Sequence, residues 1–154
     1  MNFAAAQSPD ADDAEIRNPV VKLQIRRMLA RHANMILRNI IQGNRAVKKI
    51  RNVRDPQMAE FASRAVDDAV EVSGALSSQA NQVWERIWRA VNQIRRAESD
   101  NNIYLQKQFE DCIEFDVSIL HNLYDRWYHV WVGVTRGLPR PRHVPRALRN
   151  AKNA

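Results

Sequence analysis

Residues 18–54 read NPVVKLQIRRMLARHANMILRNIIQGNRAVKKIRNVR, and this stretch decides the fold. Asn18-Pro19 is a helix start, with Asn as the N-cap and Pro at the first helical position, where its missing N–H costs nothing. Behind it Val21, Ile25, Leu29, His32, Ile36, Ile40, Gly43, Val47 and Ile50 recur at steps of three and four. That is the 3.6-residue period of one buried helical face, and it predicts a helix over about 19–54. Gly43 on the stripe points to close packing against a neighbour, with a local bend as the alternative. The same stretch carries ten cations (Lys22, Arg26, Arg27, Arg31, Arg38, Arg45, Lys48, Lys49, Arg51 and Arg54) and not one acid.

Asp55-Pro56 repeats the start signal. Met58, Phe61, Ala65, Ala69, Val72, Leu76, Ala80, Val83, Ile87, Val91 and Ile94 then keep helical spacing and predict a second helix over about 56–98. Ser73-Gly74 and Ser77-Ser78 leave open one long helix or two collinear ones. Ser99-Asp100-Asn101-Asn102 is a turn. Leu105, Phe109, Cys112, Ile113, Val117, Leu120, Tyr124, Trp127, Trp131 and Val134 predict a third helix over about 102–134, with Gly133, Gly137 and then Pro139 as stop signals. The fold class expected is all-α, three to four long helices in an extended bundle or hairpin. Polar arms flank the helical domain of 19–135: an acidic N-terminal arm, 1–18, and a basic Pro/Arg-rich C-terminal arm, 136–154.

Composition narrows the function classes. The chain has 154 residues, enough for one domain, and only 4 Gly and 6 Pro, too little punctuation for a many-stranded sandwich. Its single Cys excludes an internal disulfide framework and any multi-Cys zinc site. No apolar run reaches the roughly 18 residues of a membrane span, and the N-terminal residues lack the pattern of a signal peptide, so a soluble chain that is not secreted is expected. The formal charge of +7 points to a polyanionic partner.

Few residues suggest chemistry. His121, Asp125 and His129 stand at i, i+4 and i+8, a spacing that can converge on a metal, but they lie off the apolar arc and read better as a solvated polar face. His32 reads as a core histidine and Cys112 as a small core residue. Asp116 falls near the apolar arc and calls for an arginine from another helix or another subunit. No phosphate loop, nucleophile elbow or paired-carboxylate motif occurs, so neither an enzyme nor a cofactor is expected. Trp84 and Trp88, with Val66, Val70 and Val91, form a second apolar strip, and Trp127, Tyr128 and Trp131 thicken the end of the third helix. Two explanations stay open, a broad core or a subunit interface built on Trp84, Trp88, Trp127 and Trp131.

On the first helix Arg27, Arg31, Arg38, Arg45 and Lys49 line up opposite the apolar arc over roughly 33 Å, about one turn of a nucleic-acid duplex. With Lys22, Arg26, Lys48, Arg51 and Arg54, and with Arg140, Arg142, Arg146 and Arg149 of the arm, they form a candidate phosphate-binding set. The acidic third helix and Asp67, Asp68 and Glu71 are the internal alternative for these charges. A scaffold or accessory subunit of a large complex is the competing function, and an RNA- or ribosome-associated helical protein a third.

The Asn18-Pro19 to Arg54 helix with its ten cations and the Arg140 to Lys152 arm resemble the small all-α coat proteins of filamentous viruses, in particular archaeal filamentous DNA viruses. The resemblance implies a helical virion in which self-associated or paralogous subunits enclose double-stranded DNA. Arg27, Arg31, Arg38 and Arg45 would then touch phosphate. The acidic leader departs from the basic N-terminal arm of that pattern.

Overall fold

The computed structural model describes residues 16–137, and the described residues form three helices with no strand. These are α1 (Pro19–Arg51), α2 (Pro56–Ser99) and α3 (Ile103–Gly137). The two arms lie outside the described residues apart from 16–18 and 136–137.

Each helix begins on an Asx side chain that accepts from an orphan backbone N–H. The Asn18 side chain accepts from Val20 N at 3.0 Å, Asp55 from Gln57 N at 3.0 Å, and Asn102 from Leu105 N at 3.1 Å. The α2–α3 turn closes with Asn101 in the left-handed region, φ 54°, a conformation asparagine tolerates better than most residues. Ser73-Gly74 and Ser77-Ser78 do not interrupt α2, which is continuous for 44 residues. Both Ser73 and Ser77 are buried, so the small side chains serve close packing along the interhelical surface.

The chain runs up, down and up. Interacting residues of α1 and α3 keep a near-constant separation: Asn18 with Glu110, His32 with Tyr124, Asn39 with Trp131. The two helices are therefore parallel and in register, and α2 passes antiparallel to both. The core is Val21, Ile25, Met28 and Ile36 of α1, Leu76, Ala80, Trp84, Ile87 and Ile94 of α2, and Ile113, Leu120, Tyr124 and Trp127 of α3. A smaller cluster of Ala46, Ala62 and Val66 closes the end near the α1–α2 loop.

Two polar nodes tie all three helices together inside this core. In the first, the Tyr124 hydroxyl accepts from Trp84 Nε1 at 2.8 Å and lies 2.8 Å from His32 Nδ1. Burial pushes the His32 imidazole down to about 4 and holds the Tyr124 phenol above its usual range. Both are then neutral, and the network is satisfied when the phenol donates to His32 Nδ1. In the second node, Asn39 Oδ1 accepts from Ser73 Oγ at 3.0 Å and from Trp131 Nε1.

The first-helix stripe departs from its expected course past Ile36. Ile40 and Val47 are 56% and 43% exposed, while Asn39 and Ala46 turn toward the other helices. The second node sets this local rotation, because Asn39 must face Ser73 and Trp131. Cys112, expected in the core, is exposed: it sits about 80° around α3 from the buried line through Ile113 and Leu120. Phe61 and Met58 are also exposed, on the first turns of α2 that extend past the main core.

Three outcomes follow from this packing. Tyr124→Phe removes one hydroxyl and strands two buried partners, so denaturant titration should show a loss of about 2–4 kcal/mol. Because folding lowers the His32 pKa, the unfolded chain alone takes up that proton below about 6.5. Stability should therefore fall as pH drops from about 6.5 to about 4 and level off below, by about 1.4 kcal/mol per unit. The difference between wild type and His32→Gln in melts at pH 7, 5.5 and 4 isolates this part. Gly74 has nothing within 4 Å of an added Cβ, and at Gly43 the nearest atom, on Trp131, is 3.9 Å away. Ala at either position should stabilise by about 0.5–1 kcal/mol, read as a raised Tm.

Candidate nucleic-acid interface

The cations of α1 stand on one continuous helix whose inner face is fixed by the core, so its outer face is presented as one surface. Arg26, Arg27, Arg38, Arg45, Lys48, Lys49 and Arg51 are exposed, Lys22 is partly buried, and Arg54 is exposed in the loop that follows. Lys48, Lys49 and Arg51 also occupy the last turn, where the helix dipole favours cations. Arg140, Arg142, Arg146 and Arg149 lie outside the described residues.

Arg31 differs from the rest. Its guanidinium lies 2.7 Å from His121 Nδ1, donates to Asp125 and stands 5.7 Å from the Tyr124 ring centroid. The structure thus gives Arg31 an intramolecular role, joining α1 to α3 beside the first polar node. It also accounts for two members of the His121, Asp125 and His129 series. Among the described residues no three His, Cys, Asp or Glu side chains are grouped to hold a metal.

Among the described residues, no carboxylate lies within ion-pair distance of Lys22, Arg26, Arg27, Arg38, Arg45, Lys48, Lys49 or Arg51. Apart from Asp125, which meets Arg31, the acids expected as the internal alternative go elsewhere. Asp67, Asp68 and Glu71 are exposed on α2, and Asp111 pairs with Lys107 along α3 at 3.0 Å. Asp116, 6% exposed, accepts from Arg86 Nε at 3.3 Å and Nη2 at 3.0 Å, the arginine partner its position calls for. Arg38 has an aromatic partner instead of an acid: its guanidinium lies 4.8 Å from the Tyr128 ring centroid.

Trp84, Trp127 and Trp131, three of the four residues weighed as a subunit interface, are at most 3% exposed within the single chain. They are core, because each indole is covered where the three helices meet. Trp88 is partly buried and stacks on Trp84 with centroids 5.2 Å apart. The exposed apolar residues lie elsewhere. Leu23, Leu37 and Ile41 (47%, 57% and 41% exposed) form a line on the outer face of α1, with Ile40 beside it. Cations border this line on both sides: Lys22 and Arg26 on one, Arg27, Arg38 and Arg45 on the other.

Two concavities flank α3. A groove of about 620 Å³ against α2 is walled by Phe109, Phe115 and Cys112, with Arg86 and Arg89 at its rim. A recess of about 370 Å³ against α1 is lined by Arg38, Gln42, Tyr128, Trp131, Val132 and Arg136. The sequence groups Arg136 with the C-terminal arm, yet it belongs to the last turn of α3. Its approach to the Arg38 side of α1 follows from the parallel register of the two helices, which periodicity within one helix does not reveal.

Among the described residues no helix is long and apolar enough to cross a membrane. Compared with known proteins, the chain matches no family model, no curated protein and no solved structure.

Proposed function

We propose that this protein is a nucleic-acid-packaging subunit, which binds the phosphate backbone without reading bases and assembles with copies of itself or a paralogue. The observation that carries the reading is the outer face of α1, where the exposed cations Arg27, Arg38, Arg45 and Lys49 have, among the described residues, no carboxylate within ion-pair distance. Their span of about 33 Å is close to the roughly 34–36 Å of one duplex turn. Arginine suits such a contact because its planar fork takes two phosphate oxygens at once. A row of phosphate contacts gives affinity and register but little sequence preference.

The bordered apolar line on the same face supports assembly. Two copies closing on Leu23, Leu37 and Ile41 bring cations together on both edges, and that repulsion is relieved when a polyanion lies between them. In this reading double-stranded DNA is the favoured cargo, and a coat subunit of a filamentous virion is the concrete form of the proposal. The exposed apolar line on its own favours a second reading, a helical scaffold within a larger protein complex.

Affinity for random-sequence duplex DNA across a salt series separates the two. Packaging predicts a plot of log K against log salt with a slope of about −5 or steeper, six or more contacts at about −0.9 each. Replacing Arg27, Arg45 and Lys49 with Gln should flatten the slope by about 2.7 on every sequence tested. Binding that vanishes at physiological salt would overturn packaging in favour of the scaffold.

A further inference from the structure

We propose that the recess between α1 and α3 is a phosphate subsite, with Arg38 and Arg136 as its two cations. The identification of that phosphate as part of a nucleic-acid backbone rests on the packaging reading above. The recess measures about 370 Å³, room for a phosphate group with its sugar neighbours, and its six lining residues include two arginines and no acid. Two guanidinium groups opening on one concavity repel each other unless an anion lies between them. The carboxylate on that side of α3, Asp125, is already engaged by Arg31, so it does not neutralise the pair.

The recess is also built rather than incidental. Arg38 is held over the Tyr128 ring at 4.8 Å, which fixes the direction of its fork. The floor is Trp131, 3% exposed and anchored through its Nε1 to Asn39 of α1. Gln42 adds an amide donor one turn beyond Arg38. Arg38 and Arg136 come from different helices, so the subsite exists only in the folded, registered bundle. A basic stripe on an isolated α1 would lack it. Bidentate Arg contacts from two directions clamp a tetrahedral oxyanion, whereas a single exposed row holds it from one side.

The test uses the full chain, with Arg38→Gln and Arg136→Gln singly and together, and Arg64→Gln on α2 as control. Thermal melts establish that the variants fold. Two probes are titrated: random-sequence duplex DNA across a salt series, and inorganic tripolyphosphate by calorimetry. The subsite predicts that the double variant flattens the duplex salt slope by about 1.8 and abolishes saturable tripolyphosphate binding, which Arg64→Gln leaves intact. If wild type binds duplex steeply and the double variant keeps that slope, the subsite is overturned while packaging stands. If wild type ignores duplex but binds tripolyphosphate through these two arginines, packaging falls and the anion subsite remains. If wild type binds neither probe, both fall.

Discussion

The Tyr124 hydroxyl is where the three helices are held to one another. Trp84 of α2 donates to it, and His32 of α1 shares a hydrogen bond with it through Nδ1. All three side chains are at most 1% exposed, so water cannot replace a missing partner. Apolar packing alone lets long helices slide by a turn at little cost, because Leu, Ile and Val surfaces are interchangeable. A buried hydroxyl, imidazole and indole meet in one register only, and a slip leaves each of them desolvated and unpaired. The Asn39, Ser73 and Trp131 node repeats the constraint one heptad further along both α1 and α3. Two fixed points set both translation and rotation of the helices.

The placement of charge depends on that register. Once His32 and Asn39 must face inward, the polar residues of α1 are assigned their sides. Arg31 reaches α3 and meets Asp125 and His121, while Arg27 and Arg45 turn to the outer border. Arg38 lies between, leaning on Tyr128. Cations that look equivalent in sequence thus divide into one that bonds the bundle, one that shapes a recess and a set that stays open. Other acids of α2 and α3 pair within those two helices, as Glu60 does with Arg64 and Asp116 with Arg86.

Much of the fold was legible because its signals are local. The Asn18-Pro19 and Asp55-Pro56 starts, the turn through Asn101 and the apolar periods each act within a few residues, and they place three helices within a few residues of their observed ends. The continuity of α2 was not legible, since Ser73 and Ser77 have low helix propensity, yet both are buried and Ser73 bonds to Asn39 of α1. Asn39 was missed as an inward residue because its value lies in two partners from other helices. Trp84, Trp127 and Trp131 illustrate the same limit, for a wide apolar strip serves a second intramolecular neighbour as readily as another subunit. Of the candidate site, the cation row could be read from α1 alone. Its division into bonded and open arginines, and the arrival of Arg136 beside Arg38, required tertiary register.

The three rods of the bundle also differ in sign. α1 carries nine cations and no acid, whereas in α2 and α3 the acids outnumber the bases. The described bundle therefore has an electric dipole across its long axis, pointing from the α2–α3 side towards α1. Near an extended polyanion such a dipole experiences a torque that turns the α1 side inward before contact, at distances up to about a Debye length. Rotational search, which ordinarily slows the docking of one particular face, is then partly removed by the field itself.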